Sequence, residues 1–401
     1  MPISTQRAAA ALAGCFAGAL AAIVICAHRP EVHAAPAAAA WDEKAAARYL
    51  DAREDWWQKW DHDKRDHGTR CVSCHTQAPY ALARPVLRNS LGETGFAPSE
   101  TAMLSDVEWR VRAWKDALPF YSDEVYGQGK AIESRNAESV LNAVILSSYD
   151  ARRDAAHEPE LHEITLLAFD HAWELQSKTG PDAGAWVWQN FAYTPWESKE
   201  SQYHWAALMA IAALREQGPF PHQRLSLLLT GRQPRAYLTD RKIAPHFDLL
   251  ARYLKTHYEK QPLLNKVVAL WLANSCPGIV TAEQRRELTE TIDGLQRQDG
   301  GWSTSDLGAW QRRDGTALET RSDGYATGLI VLARSEGLAD PDSVPQIARG
   351  ISWLEANQDK NTGAWPAWSL NKNRDPDSPA AQFMSDAATG YAVMALENTR
   401  R

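Results

Sequence analysis

The sequence predicts an all-α fold in which six helical hairpins close into an α/α toroid. Three observations predict it. A repeat recurs about every 60 residues, each copy pairs an amphipathic segment with a small apolar one, and strand signals are scarce. A helix that is apolar nearly all round is buried, whereas an amphipathic one covers it from outside. An open superhelical solenoid is the alternative, because such pairs also stack linearly.

In chain order, the first forty residues stand apart. Arg7 precedes an apolar run from Ala8 to Ala27, and small residues extend from Val32 to Ala40. This is the pattern of a secretory signal peptide, with cleavage expected between Ala34 and Ala40. The apolar run is about twenty residues, so an uncleaved membrane anchor is the alternative. Leu12-Ala13-Gly14-Cys15 resembles a lipoprotein box and is read as a chance match. Residues 41–401 are then one domain, exported to the periplasm or its equivalent. The net charge of −7 gives no basic footprint for nucleic acid. Seventeen tryptophans point to aromatic packing between helices or an aromatic-lined cavity.

The outer, amphipathic segments are Trp41–Trp60, Val107–Ala117, Leu161–Gln176, His246–Tyr258, Glu283–Gln298 and Val344–Gln358. Five inner segments open at Ser73, Ser134, Ser201, Ser322 and Ser385, each serine suited to capping a helix N-terminus. A sixth copy, Gln261 to Trp271, has Pro262 at its first turn instead.

At the first inner start stands Cys71-Val72-Ser73-Cys74-His75, the C-x-x-C-H signature of covalent haem attachment. Two residues between the thiols let both sulfurs reach the vinyl groups of one porphyrin, and the adjacent histidine falls beneath the iron. The motif resembles that of c-type cytochromes and implies one haem c, with Cys71, Cys74 and His75 holding it. A zinc site would need a second cysteine pair or a knuckle using His62 or His67, and a redox dithiol would need a βαβ setting. Cys276 is expected to be a buried core thiol.

Two outer–inner junctions, Gln296 to Gly300-Gly301-Trp302 and Gln358 to Gly363-Ala364-Trp365, read Q-x(3–4)-G-x-W. Arg349-Gly350 and Leu354 precede the second at the spacing of a full motif, and Gln176 to Gly184-Ala185-Trp186 is a stretched third copy. These resemble the QW repeats of the squalene–hopene cyclase and terpenoid cyclase superfamily. The resemblance implies the α/α toroid of those enzymes and of the protein prenyltransferases, with glutamine and tryptophan tying neighbouring helices together. The D-x-D-D acid of hopene-forming cyclases is missing, as is an evident prenyltransferase zinc set, so proton-initiated cyclisation is not expected.

The repeat register gathers the starts of the inner helices around one mouth of the toroid, and Ser73 puts the haem there. Closure sets the sixth inner helix beside the first, making Met384 a candidate distal iron ligand, with His204, His67 and His62 or an open site as alternatives. Asp323 and Asp386 hold equivalent positions on neighbouring repeats. They would form a catalytic carboxylate pair if they faced one pocket, or would merely favour the helix dipoles. Tyr203, Tyr325 and Glu138 belong to the same mouth, and the polar run from Asn371 to Pro379 either caps it or is a solvated turn. The expected function is electron transfer or haem-dependent oxidation of an apolar, isoprenoid-like compound, with a redox protein or that compound as partner. A haem-based sensor without turnover and a carbohydrate-active barrel using Asp323 and Asp386 are the alternatives. A membrane would be met only through an uncleaved anchor.

Overall fold

The computed structural model of the chain describes residues 41–152, 159–216, 237–376 and 378–400; the expected leader lies outside the described residues. Contacts divide the chain into Met1–Ala37 and Ala38–Arg401, and the description concerns the second unit. It is all-helical, with thirteen α-helices and no strand among the described residues. No helix among them is long and apolar enough to cross a membrane.

The helices are α1 Glu43–Lys59, α2 Gln77–Leu91, α3 Pro98–Arg112, α4 Asp123–Tyr126, α5 Lys130–Asp150, α6 Pro159–Leu175 and α7 Ser201–Arg215. They continue with α8 Ala244–His257, α9 Leu263–Ser275, α10 Ala282–Leu295, α11 Gly324–Ser335, α12 Pro345–Ala356 and α13 Phe383–Thr399. Burial separates two sets. Helix α11 is buried at nearly every position, whereas α10 buries only Leu288 and Ile292 and α12 only Ile347, Gly350, Trp353 and Leu354. Spacings of three and four residues give these outer helices one apolar stripe each.

Each buried helix packs on the next: α2 on α5, α5 on α7, α7 on α9, α9 on α11, α11 on α13, and α13 on α2. Amphipathic helices cover them, α1 lying on α2 and α13, α6 on α5, α8 on α7 and α12 on α11. The second outer helix departs from expectation. It begins at Pro98, because Glu100 turns back to accept a bond from the Ala97 N–H (2.8 Å), and it ends at Arg112.

Three junctions share one geometry. Gln176, Gln296 and Gln358 each donate to the carbonyl of their own glycine, at 2.9, 2.8 and 2.9 Å. Through the same amide they donate to His246, Gln346 and Asp42, at the start of the following outer helix (3.0, 2.8 and 2.9 Å). Trp186, Trp302 and Trp365 donate backwards to Ala172, Ile292 and Leu354 on the preceding outer helix. Gly184, Gly300 and Gly363 have positive φ, and a Cβ on any of them would land on a backbone carbonyl of the next outer helix. The third junction therefore joins α12 to α1, the last outer helix to the first.

The recurring serines act differently from expectation. Only Ser73 accepts from helix N–H groups, those of Thr76 (3.2 Å) and Gln77 (2.9 Å). Ser134 exchanges bonds with the backbone of Tyr121, Ser385 does so with Ala367, Ser201 donates to Pro195, and Ser322 donates to Asp299. They staple each inner helix to the loop before it. Capping of α11 falls to Asp323, whose carboxylate is better suited to the helix N-terminus than the neighbouring hydroxyl.

Candidate functional site

The C-x-x-C-H segment is held between α1 and α2 by bonds from both. Trp57 Nε1 donates to the Cys71 carbonyl (2.9 Å), and Cys71 N donates to the Asp63 carbonyl (2.9 Å). Ser73 N donates to Gln77 Oε1 (3.2 Å), and Gln77 Nε2 donates to Glu54 Oε1 (2.8 Å). Both thiols are free and buried. Burial pushes Cys71 up to about 12 and Cys74 well above its usual value, with the Glu197 carboxylate adding to both. Both are held as neutral thiols.

Their arrangement also differs from a closed ion site. Among the described residues, one group of His, Cys, Asp and Glu donor atoms gathers within 4.8 Å, and it is Asp150, His162 and Glu216. Cys71, Cys74 and His75 are not so gathered.

His75 is half-buried and clamped. Phe383 stacks on its ring at 3.8 Å and 24°, and Trp57 meets it edge-on at 5.1 Å. Burial, together with the charges of Arg53 and Arg374, lowers its pKa to about 3, so the ring is neutral. Its Nδ1 lies 2.9 Å from Thr76 Oγ1, and that hydroxyl donates to Asp386 Oδ2 (2.7 Å).

His75 opens on a cavity of about 320 Å³, at the lower end of the range for small-molecule and cofactor sites. Trp60, Trp196 and Phe383 wall it, Met384 reaches it from α13, and Glu197, Asn371, Lys372 and Arg374 line its polar side. Asn371 fixes two loops across this side by accepting from Thr194 N (2.9 Å) and donating to its carbonyl (2.7 Å). No ion pair is formed by Lys372 or Arg374 among the described residues, and Arg374 lies over the Phe383 ring at 5.9 Å. Burial raises the Glu197 carboxyl to about 7, with Lys130 pulling the other way. The cavity thus joins one imidazole, aromatic walls and two cations, the kinds of group that would suit a haem, while Cys71 and Cys74 are buried outside its lining.

The remaining expected residues fall into two groups. Met384 and the Asn371–Arg374 loop line the cavity. Asp323 and Asp386 are not among its lining residues, and their carboxylates are bonded elsewhere. Asp323 spends its carboxylate on Thr304 N and Oγ1 (2.6 and 2.7 Å) and on Ala326 N (2.9 Å). Asp386 is saturated by Arg53, Tyr49 and Thr76. Burial raises both their pKa values, Asp323 to about 6. Tyr203 donates to the Leu254 carbonyl (3.0 Å), and Glu138 pairs with Arg110 (2.6 Å) and Arg135 (3.2 Å), away from the cavity lining. His204 is fully buried on α7, while His62 and His67 are exposed; none lines the cavity. Cys276 is half-buried at the end of α9, more open than a core thiol.

Inside the buried helices, Trp196 meets Tyr325 (5.6 Å), Tyr325 meets Tyr391 (5.2 Å), and Tyr391 meets Trp271 (6.5 Å). Tyr325, Tyr391 and Trp271 lie on buried helices, and Trp196 reaches them from the loop before α7. Sequence reasoning missed Thr76, Phe383, Trp196 and Glu197. A usable signal existed for the last two, since they precede Ser201 in the register of the mouth. No protein-family model matches the chain, and no curated protein matches it.

Proposed function

We propose that the chain is an exported monohaem c-type cytochrome that transfers electrons. Cys71 and Cys74 would hold the haem through thioether bonds and His75 would ligate its iron. Bound there, the haem supplies a one-electron couple. The observation that carries this reading is the neutral His75 ring, clamped by Phe383 and Thr76 beside two free thiols and a cavity lined by Met384. The chain's own residues do the rest. The Cys71 and Cys74 thiols would hold the group covalently without leaving a buried charge, the aromatic walls would exclude water, and Lys372 and Arg374 would offer partners for two carboxylates. Met384 in the distal position would raise the reduction potential and suit transfer to a redox protein.

We infer further that the circuit of buried helices is a closed α/α toroid similar to that of the terpenoid cyclases, with the haem at its mouth. The contact of α13 with α2 and the bonding of Gln358 to Asp42 support this. The isoprenoid reading is supported by resemblance alone, and the bonding of Asp323 and Asp386 lends no support to a carbohydrate-active site. Glu197, an acid with a raised pKa on the cavity wall, favours one second reading: an open sixth position at which a small molecule is turned over.

The test is an absorption spectrum of the mature chain made with the haem-attachment machinery, oxidised, reduced, and reduced with carbon monoxide. Sharp reduced bands unmoved by carbon monoxide, and moved by it in Met384→Ala, are expected. Bands that shift in the native chain would favour the second reading. Absence of covalent haem in the native chain, with the same result in Cys71→Ala, would overturn both.

A further inference from the structure

We propose that Thr76 and Asp386 form a positioning relay that fixes His75 with its proton on Nδ1 and its lone pair on Nε2. The consequence for a haem rests on the reading above; the tautomer does not.

The argument is a count of hydrogens. Asp386 Oδ1 accepts from Arg53 Nε (2.7 Å) and Tyr49 Oη (2.8 Å), and Oδ2 accepts from Arg53 Nη2 (2.9 Å) and Thr76 Oγ1 (2.7 Å). Burial raises the pKa of this side chain, and against it the two-pronged contact with Arg53 and the Thr76 and Tyr49 hydroxyls all favour the carboxylate, which can only accept. Thr76 owns one hydroxyl hydrogen, and Asp386 takes it. In the 2.9 Å contact between Thr76 Oγ1 and His75 Nδ1, the donor must then be the nitrogen. A neutral imidazole carries one N–H, so Nε2 is left with its lone pair, the form in which histidine binds a metal.

The relay also has a direction. A carboxylate behind the hydroxyl draws the Nδ1 hydrogen towards oxygen and makes Nε2 a stronger electron donor, which favours the oxidised iron. Thr76 and Asp386 do not line the cavity, so they act only through His75.

Thr76→Val removes the hydroxyl at nearly constant shape, and Thr76→Ser restores it. Nitrogen-15 spectra of the full chain, made without haem-attachment machinery, report which ring nitrogen of His75 is protonated. The native chain and Thr76→Ser are expected to show Nδ1–H, and Thr76→Val a mixture of tautomers. In the haem-loaded chain, the midpoint potential of Thr76→Val is expected to rise above that of the native chain, with Thr76→Ser returning to it. Thr76→Ala repeats the measurement should the valine variant fail to fold. A native Nδ1–H tautomer unchanged in Thr76→Val, or an unmoved potential, overturns the relay. Failure to attach haem at all would strike the cytochrome reading and leave the tautomer measurement to decide this one.

Discussion

Glu54 shows at the scale of one residue how the haem-motif loop depends on protonation. It is fully buried on α1, accepts from Gln58 (2.9 Å) and Gln77 (2.8 Å), and has no partner at Oε2 among the described residues. Burial raises its pKa to about 8, against the two amide bonds that oppose the shift. Below its unfolded value both states hold the proton. As pH climbs towards 8, the unfolded chain releases the proton while the folded chain keeps it, so stability falls through that window. Above it the folded chain carries a buried charge, at a cost of up to about 5 kcal/mol. Glu54→Gln keeps the shape and does not titrate. Urea unfolding is therefore expected to rank the two chains alike near pH 5 and the variant clearly higher near pH 9. An equal loss in both would mean that Glu54 ionises freely in the folded chain. Because Gln77 also binds Ser73, alkaline loosening should reach the cysteine loop first.

At the scale of elements, the glycines of the three repeated junctions carry most of the information the sequence held. Gly300 and Gly363 sit at φ +96° and +84° against backbone carbonyls of Arg349 and Ala45, whereas Gly315 at φ +73° faces open space. Left-handed backbone costs an alanine about 1 kcal/mol anywhere. A Cβ driven into backbone adds about 1–3 kcal/mol more. Gly300→Ala and Gly363→Ala are thus expected to lose about 2–4 kcal/mol in denaturant unfolding, and Gly315→Ala only about 1 kcal/mol. Equal losses at all three would show that the next outer helix yields to the methyl group. These junctions were legible because Gly and Trp keep one spacing and a Gln precedes them at the end of an outer helix, so that the three bridge one helix end and the next. The inner serines were legible as a repeat but not in their role, since a hydroxyl near a helix start can bond forwards to the helix or backwards to the loop. The backbone of the preceding loop decides, and local sequence does not encode it. Asp386 behind His75 lay further out of reach. The contact runs through Thr76 across 310 residues and exists only because α13 meets α2.

That meeting of chain ends is a property of the whole molecule, and it separates two otherwise identical junctions. Gln296 ties α10 to α12 within neighbouring repeats, while Gln358 ties α12 to Asp42 at the head of α1. Helix α1 contributes Tyr49 and Arg53 to Asp386, and Trp57 to His75 and Cys71. Helix α13 contributes Phe383, Met384 and Asp386. The surroundings of His75 are therefore complete only when the first and last hairpins are held together. Gln296→Ala and Gln358→Ala each lose two bonds donated by the amide and one accepted by it, from Arg349 and from Asp42 N respectively, about 1 kcal/mol apiece, so comparable falls in melting temperature are expected. Their effects on the site should differ. Gln358→Ala is expected to lower covalent haem per chain, measured by the pyridine haemochrome assay, and to broaden the reduced bands. Gln296→Ala should load haem as the native chain does. Equal loading of both variants would mean that α13 and α1 find each other without this junction, through the Arg53–Asp386 ion pair at 2.7 Å. Equal loss in both would make haem attachment follow overall stability and not the closing of the chain ends.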